Sequence, residues 1–112
     1  DQKVLAMRID ENLYFANTNF LEDTVMRLVA DNKAINHIVL ICSSISVIDT
    51  SGLESLDDIL YRLNKVDVKL HLAEIKGPVM DKLRGTDFLN KLGEENVFMS
   101  THQAMQALKS DH

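Results

Sequence analysis

His37-Ile38-Val39-Leu40-Ile41-Cys42, a polar stretch from Ser43 to Thr50, and then Ser51-Gly52-Leu53-Glu54 form the passage that decides the fold. Residues 37 to 42 are β-branched and apolar. A strand covered on both faces has such a continuous run, so this reads as a buried central strand lying parallel to a neighbour. The polar stretch ends it. Ser51 to Glu54 fits a capping box, with Ser51 as the cap and Glu54 three residues on. Leu53, Leu56, Ile59, Leu60 and Leu63 then recur at helical spacing as one apolar stripe.

Working outward, residues 4 to 9 read as a strand. Asp10-Glu11-Asn12 punctuates a turn, and Leu13-Tyr14-Phe15-Ala16 is a second short strand, the tight spacing predicting an antiparallel hairpin. Asn17, Thr18 or Asn19 caps a helix whose apolar face is Phe20, Leu21, Val25, Leu28 and Val29. Beyond the central passage, Val68 to Ile75 is a strand, with Val68, Leu70 and Leu72 on one face and Lys69 and His71 on the other. Gly77-Pro78 opens a third helix, with Pro at its first position and Gly85 near its end. Phe88, Leu89 and Leu92 continue a compact helical segment to Gly93. Val97-Phe98 is a last short strand. Ser100 or Thr101 caps a terminal helix carrying Ala104, Met105 and Leu108. Alternating strands and helices predict an α/β fold: a mixed, mostly parallel four- to five-stranded sheet with right-handed crossover helices. Residues 1–112 read as a single domain.

Composition narrows the function. Of 112 residues, 46% are hydrophobic and 26% charged, ordinary for one globular core. The formal net charge is −5 and the Lys and Arg residues are scattered. Nucleic acid and anionic lipid both need clustered basic residues, so neither is an expected partner. A lone cysteine, Cys42, precludes an internal disulfide and suits a reducing compartment. No apolar run approaches the length of a bilayer span, so no direct membrane insertion of this segment is expected. Asp1 stands where an initiator Met would, and the expectation is a piece excised from a larger protein.

Chemistry has two places to sit. Ligands of open α/β sheets gather beyond the carboxyl ends of the strands. There lie the segment ending in Asp49, Thr50, Ser51 and Gly52, and the segment Lys76-Gly77-Pro78. Each leads into a helix start, where free N–H groups attract anions, and Lys76 adds a charge. The pair would suit a phosphate, or weak ATP or GTP binding. The structural reading of both, a cap and a helix start, stands beside this. Ser51, or Thr50, is also a candidate for phosphorylation. Catalysis finds little support. Cys42 belongs to a buried strand, and His37, His71, His102 and His112 lack metal-ligand spacing. Asp57 and Asp58 are adjacent on a helix and point about 100° apart, unfit for paired acid–base work. There is no Gly-x-Ser-x-Gly elbow and no phosphate-binding Gly-rich loop. Neither a catalytic residue, a metal nor a cofactor is expected.

Val47-Ile48-Asp49-Thr50-Ser51-Gly52-Leu53 resembles the signature of the STAS domain family, a buried strand followed by Asp-Ser/Thr-Ser/Thr-Gly-Leu opening a helix. The resemblance covers nearly the whole chain in the order of elements. Leu13-Tyr14-Phe15-Ala16-Asn17, Lys76-Gly77-Pro78-Val79 and Gly93-Glu94-Glu95-Asn96-Val97-Phe98 are similar to segments of the sulphate-permease (SulP) branch. That branch implies a cytoplasmic C-terminal domain on the cytoplasmic side of the inner membrane, regulating anion transport. Its partners would be its own transmembrane domain, another protomer or a cytosolic protein. The anti-sigma factor antagonist branch implies a phosphorylated Ser51 in a free-standing binding protein. Family members are also linked to nucleotide binding at this turn.

Overall fold

The structure is a computed structural model and describes residues 3–10 and 18–110. Strand β1 (Val4–Arg8) is followed by helix α1 (Thr18–Asp31), β2 (His37–Ile41), α2 (Thr50–Lys65) and β3 (Lys69–Ala73). Helices α3 (Gly77–Arg84) and α4 (Phe88–Leu92), a 3-10 turn (Glu94–Asn96), β4 (Val97–Phe98) and α5 (Thr101–Ser110) complete it. The predicted second strand over 13 to 16, its hairpin, and Asn17 lie outside the described residues.

The four described strands are all parallel, in the order β1-β2-β3-β4. Sequence order equals spatial order, so each helical connection carries the chain from the carboxyl edge of the sheet back to its amino edge. That places the starts of α1, α2, α3 and α5 along one edge. His37–Ile41 is the inner strand expected from its composition: Ile38, Val39 and Leu40 are fully buried.

The two faces of the sheet are unequally covered. Ile38, Leu40, Leu70 and Leu72 point into the main core with α1, α2, α3 and α4. On the other face Val39 and Ala73 meet Ala104 and Leu108 of α5 in a separate, smaller cluster. Helix α2 buries Leu56, Ile59, Leu60 and Leu63 as its spacing predicts, each contributing about 1.5–3 kcal/mol. In α1 the buried line is Leu21, Val25 and Val29. Phe20, assigned to that face from sequence, is instead 74% exposed, since one residue along a helix turns its side chain about 100° off the line. Pro78 occupies the second helical position of α3 rather than the first. Ser100 caps α5, its Oγ accepting from the N–H of Gln103 at 3.1 Å.

Candidate functional site

The turn between β2 and α2 is built from two buried pegs and one cap. Ile45 and Ile48, each 2% exposed, fix the polar stretch to the main core. Asp49 is extended at φ −101°, ψ −178°, and its side chain accepts from the N–H of Gly52 at 2.8 Å. Its carbonyl accepts from Leu53 N–H at 3.0 Å, closing the first helical turn. Asp49 is therefore the N-cap of α2, and the expected cap at Ser51 is corrected: Ser51 lies one residue inside the helix, half-buried. The physical reason is that Asp49 already serves Gly52, so the helix begins two residues earlier than a cap at Ser51 requires. Thr50, in the first turn, is exposed and Gly52 is buried.

The second segment sits at the neighbouring strand end. Lys76 is the N-cap residue of α3, extended at φ −73°, ψ 151°, exposed, with its carbonyl accepting from Met80 N–H at 2.9 Å. Gly77 is exposed, and a Cβ there would meet open space. The cation that touches the Asp49 turn is a different one, Lys82 on α3. Its Nζ donates to the carbonyl of Ile48 at 3.1 Å. Sequence reading missed Lys82, because the contact spans thirty-four residues and follows from how α3 packs, which no local pattern encodes.

The same edge carries exposed apolar side chains. Phe20 in the first turn of α1 is 74% exposed, Val47 47% and Met99, just ahead of α5, 86%. At the end of β3, Glu74 adopts a left-handed φ of 61°. This conformation aims its carboxylate at α5, where it accepts from the N–H of Thr101 at 3.1 Å and from its Oγ1 at 2.5 Å. Those bonds hold the Glu74 carboxyl below its usual pKa.

Groups suited to catalysis or metals are scarce. Among the described residues no three His, Cys, Asp or Glu side chains gather to hold a metal ion. Cys42 is 4% exposed, and burial pushes its thiol up to about 12. No helix of the described residues is long and apolar enough to cross a membrane. A pair the sequence did not reveal lies at the amino end of the sheet, where His37 Nδ1 and His71 Nε2 are 2.9 Å apart.

Comparison with known proteins places this arrangement. The sequence profile of the STAS domain matches residues 1–104. The chain is 28% identical over 117 residues to sulfate transporter 1.1 of Arabidopsis thaliana, covering 96% of this chain and 18% of that one. The chain thus spans about a fifth of the length of such relatives. Among solved structures, the STAS domain of a SulP transporter from Vibrio cholerae superposes with a TM-score of 0.83 at 17% identity, covering 99% of this chain and 84% of that one. A putative anti-sigma factor antagonist from Thermotoga maritima superposes with a TM-score of 0.81 at 19% identity, covering 95% and 87%.

Proposed function

The chain belongs to the STAS domain family, and from that premise we propose that it is the cytosolic regulatory and docking domain of a secondary anion transporter of the sulphate-permease type. One observation carries the reading. The Asp49 turn stands at the carboxyl edge of the sheet, on an edge where Phe20, Val47 and Met99 expose apolar surface. Apolar side chains gathered on one edge are what a protein partner covers. The Asp49 cap and the Lys82 clamp hold the turn ready for that contact. The partner is the membrane part of the same polypeptide, which places the domain on the cytoplasmic side of the membrane.

The test is sulphate uptake by the full-length transporter carrying Val47→Asp or Met99→Asp. Both side chains are exposed, so the fold tolerates the change within about 0.5 kcal/mol. Uptake falls while the amount of transporter in the membrane stays constant. Unaltered uptake in both variants overturns the reading.

A second reading is favoured by the position of Thr50, exposed in the first turn of α2, with Ser51 beside it. A kinase acting there makes the edge a phosphorylation switch, as expected of a free-standing anti-sigma factor antagonist. Phosphate adds about −1.5 to −2 charges at the centre of the docking edge. Mass spectrometry of the chain recovered from cells, showing phosphate on Ser51 or Thr50, supports it; unmodified chain under conditions where the partner dissociates removes it.

A further inference from the structure

The imidazole pair on the other end of the sheet belongs to neither reading. Register aligns His37 with Lys69 and Val39 with His71, so the two histidines are diagonal neighbours on the face that α5 covers. His37 is 8% exposed and His71 2%. The ring of His71 also lies 5.9 Å from that of Phe98. Between the rings one nitrogen donates and the other accepts. The remaining His71 nitrogen, Nδ1, is buried without a hydrogen-bond partner.

Chemistry makes this arrangement proton-sensitive. A neutral imidazole carries one N–H and a protonated one carries two. Once protonated, His71 would donate from Nε2 to His37 and hold a second N–H on Nδ1, a buried nitrogen with no hydrogen bond in the closed arrangement and the Asn96 side chain as its polar neighbour. Burial pushes its pKa from 6.5 down to about 4, the charges of His37 and Lys69 act in the same direction, and the Asn96 side chain opposes them without prevailing. The other charged or titratable groups on the surrounding elements are Glu74 at the end of β3, half-buried and bonded to Thr101 of α5, with Lys3 and Arg8 at β1, Glu94 and Glu95 on the 3-10 turn, and His102 and Lys109 on α5, these six all exposed. Solvating the charged pair in full requires water to reach it. The cheapest way to admit it is through α5, which contributes just Ala104 and Leu108 to the buried cluster on this face. The opposite route runs through the main core.

We propose that the His37–His71 pair is a proton-operated latch: when neutral it seats α5 on the sheet, and on taking up a proton from solvent it releases α5 while the rest of the sheet stays folded. The direction follows from linkage. The open state binds the proton near pH 6.5 and the closed state only near pH 4, so docking is complete above the upper value and weakens as pH falls between them.

The test is amide hydrogen exchange on the whole chain, read as protection factors from pH 7 to pH 4.5. Protection of the α5 amides falls roughly tenfold per pH unit below 6.5, while β2 and β3 keep theirs. In His71→Phe the α5 amides lose this dependence, and in His102→Gln, which alters an exposed histidine of the same helix, they retain it. If His71→Phe does not fold, the wild-type chain decides alone: its His71 nitrogen resonances stay those of a neutral ring while α5 protection is already falling below pH 6.5. The latch is overturned if α5 and the strands lose protection together, if His71→Phe behaves as the wild type, or if His71 takes up its proton already near pH 6.5.

Discussion

Lys82 Nζ donates to the carbonyl oxygen of Ile48 at 3.1 Å, so α3 grips the backbone one residue ahead of the cap of α2. The grip is on a main-chain atom, which makes it indifferent to the side chains that a partner would read. Lys82→Met keeps the aliphatic stem and removes the donor. Stability changes by no more than about 1 kcal/mol, since the lysine is exposed. The local effect is larger: the amides of Gly52 and Leu53 exchange faster while those of β2 do not. Unaltered exchange at both amides would show that the clamp does not hold the turn.

Asp49 and Ser51 make opposite predictions that thermal unfolding separates. Asp49 accepts from Gly52 N–H at 2.8 Å. Asp49→Ala therefore costs about 1 kcal/mol, or roughly 4–6 °C in Tm for a domain of this size. Ser51→Ala leaves Tm nearly unchanged, because Ser51 is not the cap. The reverse ranking would return the capping role to Ser51.

This exchange of caps marks how far the sequence could be read. The strand–turn–helix passage was legible because its signals are local: an apolar run, a polar break, a helical stripe. Both Asp49 and Ser51 are good capping residues with suitable followers, and choosing between them takes the helix start itself. Phe20 failed for a related reason, since a phenylalanine beside Leu21 joins a helical stripe by proximity until packing shows which line is buried. His71 failed through ambiguity of faces. Alternation put it opposite Leu70 and Leu72 beside the exposed Lys69, and only the arrival of α5 over that face turns a polar position into a buried one. Lys82 lay beyond reach altogether, because its partner is a backbone atom in a different supersecondary unit.

Cys42 gives a prediction at the alkaline end. Burial raises its thiol from an ordinary 9.0 to about 12, outweighing the opposing bond to the Ala73 backbone. The unfolded thiol loses its proton near pH 9 and the folded one does not. Stability is therefore intact below pH 9 and falls by about 1.4 kcal/mol per pH unit above it. Cys42→Ala removes that part of the alkaline slope, at the cost of a small cavity. At pH 8 the native thiol reacts with iodoacetamide only as fast as the chain unfolds. Rapid labelling in the absence of denaturant would mean that the strand end is open.

Ser51→Asp separates a docking effect from a folding effect. The residue lies in the first turn of α2, where the helix dipole favours negative charge by about 0.3–1 kcal/mol. A carboxylate at 51 therefore raises Tm by a few degrees or leaves it unchanged. The same charge stands on the edge that carries Val47, so a partner that buries this edge must desolvate it and binds more weakly. Weaker binding with undiminished Tm assigns the loss to the docking edge itself. Because Ser51 is half-buried, the opposite result is equally informative: a Tm lowered by several degrees would mean that the first turn has no room for the charge. It would then have none for a phosphate, and the switch reading at Ser51 would fall while Thr50, which is exposed, remained the residue to modify.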